Sequence, residues 1–356
     1  MSRDERIVTL DILRGIALFA MILVHFHQRM EIPAKGVEDL VGWVIWMGIE
    51  TKSWAMFAFL FGAGFAILMR RAETRGLKVV PLYLRRMLAL AVFGVAVEVL
   101  FGFSILLEYA FWGVPLLFVR NLPTRALLVL AFLSTIALSV YSTFSPYQRS
   151  PNHAALTEAE QQGTFREAVV ERAKAMTWTW TRPRAVIPGS SFVLFILGLL
   201  SIRHGLFADP PAKRRTIAAA MGFGLVSWTL AWFVLPKLPF SRGFGIINDQ
   251  WLALTYIGAI TLLLAYRPVW KERLRSFAIA GRMALTNYVL QAAALSWLAS
   301  GYGLGLKIRP YYVLPATILL FLILVLLSTF WLARFPYGPL ERIWRSFTLW
   351  QTRGEA

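Results

Sequence analysis

Four polar side chains interrupt an apolar run near the start of the chain, "TLDILRGIALFAMILVHFHQRM", at residues 9–30. Each residue of an α-helix turns by ~100°, so Asp11, Arg14 and His25 share a stripe roughly 80° wide and His27 points away from it. Asp11 and Arg14 are three residues apart and can form an ion pair. His25 could take a proton from a hydroxyl or an amine, because imidazole titrates near neutral pH. The stripe is therefore a candidate catalytic set.

A structural interpretation of the same residues stays open. An ion pair near the edge of a bilayer would fix the position of the helix, and a neutral His25 could bond a neighbouring helix. His27 is interpreted as an interface residue.

Polar groups also interrupt the apolar segment at 276–299. Asn287 and Gln291 are four residues apart and share a helical face, with Tyr288 beside them and Arg282 nearer the end of the segment. In a functional interpretation these groups line a cavity and hold an acyl carbonyl or an acceptor. In a structural interpretation the amides bond neighbouring helices.

The second apolar segment begins with Lys52, Ser53 and Trp54, which could border the same cavity. A lysine whose amine reaches the membrane surface explains Lys52 equally well. Further along this segment, Gly62 and Gly64 allow neighbouring helices to approach closely. The alternative is that they leave a passage for an extended acyl carrier.

Four arginines flank the second and third apolar segments: Arg70, Arg71, Arg85 and Arg86. Guanidinium groups bind phosphate in bidentate geometry, so this set would suit the phosphates of coenzyme A. Membrane insertion alone also places basic residues beside spans, and this explanation stays open.

The composition indicates a membrane protein. Of the 356 residues, 58% are hydrophobic and only 16% are charged. The net charge of +18 does not predict a nucleic-acid partner, because the basic residues separate apolar runs and do not form a soluble basic face. The chain has no cysteine, which excludes disulfides and thiolate chemistry. We expect neither a metal nor a permanently bound cofactor.

The apolar runs predict an all-α, polytopic helix bundle that forms one domain over 1–356, since a membrane-crossing helix needs roughly 20 largely apolar residues. A shorter run at 38–48 predicts a separate interfacial helix. The ten predicted spans lie at about 11–30, 52–70, 86–102, 104–120, 125–143, 188–204, 214–235, 250–266, 276–299 and 311–333.

The distribution of lysine and arginine predicts the orientation. The side that holds both termini carries the excess of these residues, so both termini are expected in the cytoplasm. The polar interval at about 144–187 then lies outside, with helical spacing over 157–176, and forms either a surface loop or a lid over a cavity. The end of the chain, about 334–356, is expected to be a cytoplasmic amphipathic tail.

The first segment, "TLDILRGIALFAMILVHF", resembles the first-helix motif of the transmembrane acyltransferase superfamily, which includes O-antigen acetylases and heparan-alpha-glucosaminide N-acetyltransferase. In the acetylases an LD-x-x-RG motif is followed, eleven residues after the arginine, by the histidine taken as the base, and His25 has that spacing. "FAFLFGAGFAILMRR" at 57–71, "AGRMALTNYVLQ" at 280–291 and "YGPLERIWRSFT" at 337–348 resemble the YeiB-like bacterial membrane proteins, a family of unknown function.

Two features depart from the YeiB-like pattern. Those proteins commonly have asparagine where this chain has His25. They also often have a GDIL-x-x-Y element where this chain reads "FSILLEY", with Ser104 in place of the acid. Glu98 or Glu108 could supply a carboxylate nearby.

The resemblance implies an inner-membrane enzyme that moves an acyl group, such as acetyl, from cytoplasmic acyl-CoA to a hydroxyl or amine of a cell-envelope glycan or lipid. His25 would be the base, Asp11 and Arg14 would organise the helix or the donor entrance, and Asn287 and Gln291 would orient substrate. The alternatives are a transporter or export factor, and a membrane partner without a ligand. The oligomeric state is left open.

Overall fold

The structure is a computed structural model that describes residues 8–30, 32, 36–145, 148–182, 190–237 and 242–349. The regular elements of these residues are helices, which confirms the all-α class. The α-helices are α1 (Val8–Met30), α2 (Val37–Ile45), α3 (Thr51–Thr74), α4 (Val79–Phe101), α5 (Leu106–Val119), α6 (Thr124–Phe144), α7 (His153–Gln161), α8 (Phe165–Trp180), α9 (Ser190–Arg203), α10 (Arg214–Thr229), α11 (Arg242–Asp249), α12 (Leu252–Tyr266), α13 (Val269–Arg273), α14 (Arg275–Arg282), α15 (Ala284–Ala299), α16 (Pro310–Leu332) and α17 (Pro339–Leu349).

Several helices have the length and composition needed to cross a membrane. Within the described ranges five qualify: Val8–Met30, Leu40–Thr74, Thr124–Phe144, Arg214–Val234 and Pro310–Leu332. Three apolar helices are shorter: Leu106–Val119, Ser190–Arg203 and Leu252–Tyr266. The bundle is thus that of a membrane protein, while the full set of ten crossings and the cytoplasmic termini stay predictions.

The ninth predicted span, 276–299, is not one continuous helix. It breaks at Met283, between α14 and α15. Glu341 of α17 accepts hydrogen bonds from the backbone N–H groups of Leu285 (2.8 Å) and Thr286 (3.1 Å). These bonds satisfy donors that a new helix start leaves without intrahelical partners, which is why the break is stable.

The segment at 38–48 is not a separate interfacial helix, contrary to the sequence-based prediction. α2 continues through a π-helical turn, Trp46–Glu50, directly into α3. Side chains bond the carbonyls of this turn: Lys52 Nζ donates to Met47 O at 2.6 Å, and Tyr256 Oη donates to Gly48 O at 2.8 Å. Such partners stabilise a turn whose own ladder is irregular.

The helix expected over 157–176 is divided into α7 and α8. Thr164 begins α8 with a capping box, in which its side chain accepts from Glu167 N–H and the Glu167 carboxylate accepts from Thr164 N–H at 2.7 Å. The Thr164 N–H and the Thr164 hydroxyl both donate to the Glu167 carboxylate, which holds the pKa of the exposed Glu167 below its usual range. The local capping signal therefore ends the preceding helix and starts a new one.

The bundle has two recognisable ends. The N-terminal face, where α1 begins, also holds the end of α14, since Gly281 packs against the Asp11 carbonyl, and α17, whose Trp344 Nε1 donates to Arg86 O at 2.9 Å. The opposite face holds the ends of α1 and α4, together with α8. There Arg29 donates to Gly102 O at 3.1 Å.

Candidate functional site

A cavity of about 260 Å³ lies between α1, α3, α4, α5, α15 and α17, beside the end of α14. We call it the central cavity. Its polar lining residues are Asp11, Arg14, Tyr83, Arg86, Tyr109, Arg282, Tyr288 and Glu341. The remaining wall is largely aliphatic and aromatic, so the cavity joins charged groups to an apolar interior, as small-molecule sites do.

The charged groups lie at the N-terminal face. Arg14 Nη1 donates to Asp11 Oδ1 at 3.0 Å, so the pairing that the three-residue spacing allowed does form. The guanidinium of Arg86 stacks on the ring of Trp344, 3.5 Å from its centroid. The ion pair and the stacking fix both arginine side chains in direction, which preorganises this end for an anionic or carbonyl-bearing ligand.

Three tyrosines line the cavity, and their hydroxyl groups make different hydrogen bonds. Tyr83 donates to Gly113 O at 3.2 Å and Tyr109 donates to Trp54 O at 2.8 Å. Tyr288 instead accepts from Ile105 N–H at 3.0 Å. The Ser104 side chain is a second hydrogen-bond partner of this hydroxyl, so the Tyr288 proton can be donated to a carbonyl oxygen in the cavity when Ser104 acts as the donor.

His25 does not line the central cavity. Its ring lies 4.2 Å from the ring of Phe103, two residues before Ile105, which does line the cavity. Gln291 is fully buried one helical turn beyond Tyr288. His25 Nδ1 and both amide atoms of Gln291 have no hydrogen-bond partner among the described residues. Unpaired buried polar atoms cost about 1–3 kcal/mol each, so His25 and Gln291 are costly for the fold as they stand.

A polar cluster closes the bundle beyond His25 and Gln291. We call it the outer clamp, formed by Arg29, Glu160, Arg172, Ser296 and Tyr302. Arg172 donates to Glu160 Oε1 (2.9 Å), Tyr302 Oη (2.9 Å), Ser296 Oγ (3.3 Å) and Leu100 O in the last turn of α4 (2.7 Å). Arg29 lies one turn beyond His25 and Ser296 lies five residues beyond Gln291, so His25 and Gln291 share a level beneath the clamp.

Asn287 is fully buried, but it does not line the central cavity. Its Nδ2 donates to Ala280 O at 3.0 Å and to Ser328 Oγ at 2.9 Å. Asn287 therefore joins α14, α15 and α16. Of the three residues predicted in this segment, Tyr288 reaches the cavity, Gln291 lies beyond it and Asn287 holds helices together.

The four predicted phosphate-binding arginines are not brought into one site. Arg86 lines the central cavity, whereas Arg70 lines a second cavity at the N-terminal face. Arg71 is exposed and Arg85 is half-buried, and neither lines either of these cavities. Arginines that are adjacent along the chain thus diverge, because neighbouring positions on a helix point about 100° apart.

The polar groups at the start of α3 form a separate buried cluster. Lys52 is 1% exposed, and its Nζ lies 2.5 Å from Asp249 Oδ1. Trp232 Nε1 also donates to that oxygen at 2.7 Å. Glu108, considered above as a substitute carboxylate, accepts from Ser191 Oγ at 2.6 Å and does not line the central cavity.

Sequence reasoning missed several cavity residues, namely Tyr83, Tyr109, Glu341 and Trp344. Glu341 and Trp344 are three apart in "YGPLERIWRSFT", a spacing that puts both on one side of α17. Tyr109 ends the "FSILLEY" element. In the part of the chain that the structure describes, no three histidine, aspartate or glutamate side chains come together as a metal site.

Comparison with known proteins gives two family matches, one in each half of the chain. The family described as "Heparan-alpha-glucosaminide N-acetyltransferase, catalytic" matches residues 6–151, and the family described as "Protein of unknown function (DUF418)" matches residues 201–351. The central cavity takes Asp11, Arg14 and Tyr109 from the first match and Tyr288 and Glu341 from the second. Both halves therefore build the same cavity.

Three curated bacterial proteins match nearly the full length. Uncharacterized protein YxaH of Bacillus subtilis is 29% identical, covering 98% of this chain and 96% of its own. The uncharacterized 39.9 kDa protein in the amylase 3′ region of Bacillus acidopullulyticus is 29% identical, covering 98% and 95%. Uncharacterized protein YeiB of Escherichia coli is 26% identical, covering 97% of each chain. No solved structure matches. Over nearly its full length this chain is therefore similar to YxaH and YeiB, and its first half is similar to the catalytic family of heparan-alpha-glucosaminide N-acetyltransferase.

Proposed function

We propose that this protein is an inner-membrane acyltransferase that moves an acetyl or other acyl group from cytoplasmic acyl-CoA to a hydroxyl or amine of a cell-envelope glycan or lipid. The observation that carries the proposal is the central cavity, which joins arginines at one face of the bundle to the Tyr288 hydroxyl in its interior. With both termini in the cytoplasm, the charged end would face the donor and His25 would face the envelope.

The chemistry assigns one role to each polar group. The acceptor oxygen or nitrogen attacks the thioester carbonyl carbon, the C–S bond breaks, and coenzyme A leaves as the thiol. His25 takes the acceptor proton and returns it to the leaving sulfur, directly or through water. Tyr288 donates a hydrogen bond to the carbonyl oxygen as negative charge develops there.

The remaining predicted residues would position the donor, the acceptor and the helices around them. Asp11 orients Arg14 at the charged end, and Arg14 with Arg86 would hold the donor. Gln291 would orient the acceptor at the level of His25. Asn287 would keep α15, and with it Tyr288, in register against α14 and α16.

One observation favours a second function, transport. The broken helix at Met283 is a feature of many transporters, where a free helix terminus faces the substrate. Here the start of α15 is already bonded to Glu341, whose Oε2 also accepts from Thr286 Oγ1 at 2.5 Å. A capped terminus is not available to an anionic substrate, so acyl transfer is the better-supported function.

The test is acetyl-CoA-dependent release of free thiol by the purified protein in nanodiscs with an extract of envelope lipids and glycans. We expect Tyr288→Phe to slow release about 100-fold or more, and His25→Ala to slow it by a similar factor or more. The matched controls are Tyr311→Phe, at an exposed tyrosine, and His27→Ala, two residues along α1.

Two results would contradict the proposal. One is thiol release that is unchanged in both Tyr288→Phe and His25→Ala. The other is substrate counterflow in proteoliposomes without any consumption of acyl-CoA, which would assign the cavity to transport.

A further inference from the structure

A second cavity of about 270 Å³ opens at the N-terminal face, between the end of α3, the turn after α5 and the end of α9. We call it the basic cavity. Arg70, Arg120 and Arg203 line it, together with Asn121 and a single carboxylate, Glu73. Three guanidinium groups against one carboxylate leave the lining with a net positive charge.

Backbone carbonyls orient two of these arginines. Arg203 Nη1 donates to Leu122 O at 2.7 Å and its Nη2 donates to Arg120 O. Arg120 Nη1 donates to Leu117 O at 2.7 Å, and its buried Nε has no hydrogen-bond partner among the described residues. Carbonyls fix the direction of a guanidinium without neutralising it, so the positive charge stays available to an anion.

The basic cavity adjoins the central cavity, because Phe65 lines both. Arg70 lies five residues beyond Phe65 on α3, an axial distance of about 7.5 Å. A ligand with an anionic end and a flexible, less polar arm would reach both cavities by passing Phe65, the side chain that their walls share.

We propose that the basic cavity binds a phosphate group of the molecule whose arm occupies the central cavity. A phosphate monoester or diester fits the lining, since its oxygens accept bidentate bonds from guanidinium groups. Two sources carry this chemistry, a nucleotide-containing thioester and an anionic phospholipid. The assignment to a thioester donor rests on the proposed function, whereas phosphate binding at this cavity does not.

The experiment compares wild type with Arg70→Gln and with Arg120→Gln in nanodiscs of neutral lipid. Binding of coenzyme A and of pantetheine, which lacks every phosphate, is measured by calorimetry. Anionic phospholipid that copurifies with each variant is counted by mass spectrometry. Arg70 is exposed and can be replaced without removing a buried side chain, and Lys78→Gln is the control at an exposed lysine of the same face.

A coenzyme A site predicts that both arginine variants bind coenzyme A about tenfold more weakly or worse, with pantetheine binding and the Lys78→Gln variant unchanged. A phospholipid site predicts that both variants lose copurified anionic lipid. Unchanged coenzyme A binding together with unchanged lipid content in both variants would overturn the inference.

The outcome is separable from that of the proposed function. Coenzyme A binding that depends on the arginines, without any acyl transfer, would contradict the acyltransferase proposal and support the phosphate site. Acyl transfer with an unchanged KM for acetyl-CoA and unchanged copurified anionic lipid in both arginine variants would rule out the phosphate site while leaving the acyltransferase function supported.

Discussion

Arginine side chains gather at both faces of the bundle, and their surroundings differ. At the N-terminal face Arg14 and Arg86 border a cavity, with guanidinium groups held at one side and open at the other. At the opposite face Arg172 is 3% exposed and donates four hydrogen bonds to protein groups. The same residue type therefore lines a cavity at one face and joins helices at the other.

Polar residues in an apolar bundle can thus be separated by whether their hydrogen-bonding groups contact protein or a cavity. A buried cation whose donors all have protein partners contributes to structure, and its removal leaves those partners unpaired. A fixed cation that borders a cavity can still bind a ligand. The predictions below test that division, beginning with the largest expected effect.

Asp249→Asn should destabilise the opposite face most strongly. It removes the carboxylate that Lys52 contacts and leaves a buried ammonium without its counter-charge, a loss of about 3–5 kcal/mol in the free energy of unfolding. Equilibrium unfolding in mixed micelles measures this loss of free energy. The control is Lys174→Ala, which breaks an exposed pair with Glu171 and should cost about 1 kcal/mol or less. Equal losses in the two variants would show that burial does not govern this pair.

Arg172→Ala should cost about 2–3 kcal/mol, because its hydrogen bonds include a charged partner and a buried carbonyl. α7 and α8 should then detach from α4 and α15, and amide hydrogen exchange of α8 should rise while exchange of α3 stays constant. Protection of α8 that matches wild type would mean that the outer clamp does not hold this segment.

Gly62 and Gly64 offer a matched pair within α3. A Cβ at Gly62 would collide with the backbone of Phe195, so Gly62→Ala should cost about 1–3 kcal/mol through overpacking. A Cβ at Gly64 would meet Arg14 Nη2 at an ordinary 3.6 Å, on the cavity side, so Gly64→Ala should leave stability unchanged. The melting temperatures of the two variants test this difference. A lower melting temperature for Gly64→Ala than for Gly62→Ala would contradict the packing.

Glu341→Gln should lower the free energy of unfolding by only about 1 kcal/mol, because the amide keeps one acceptor oxygen for the N–H groups at the start of α15. The thermal midpoint measures the loss. A fall as large as that of Asp249→Asn would mean that α17 does more than cap α15.

The sequence predicted features that depend on spacing along one helix. The three-residue separation of Asp11 and Arg14 gives the observed ion pair, and the composition gives the membrane bundle. Local periodicity was enough for these features because each involves neighbours within one or two turns.

Features that depend on distant residues could not be predicted in this way. The break at Met283 relies on Glu341, 56 residues from Leu285, and Asn287 finds its partner Ser328 in another helix. The burial of Arg172 is a further case, since its polar surroundings in the sequence favour an exposed surface position. Periodicity carries no information about which helix packs beside which.

The most direct test of the central claim, that the central cavity holds the acyl donor, is the rate of acetyl-CoA-dependent thiol release by Gly64→Leu. A Cβ at Gly64 would already lie 3.6 Å from Arg14 Nη2, and both residues line the cavity, so the longer leucine side chain would fill space that the donor arm needs. We predict that release falls about 100-fold or more while the thermal midpoint stays within about 2 °C of wild type. Release at the wild-type rate, with an unchanged KM for acetyl-CoA, would contradict the account.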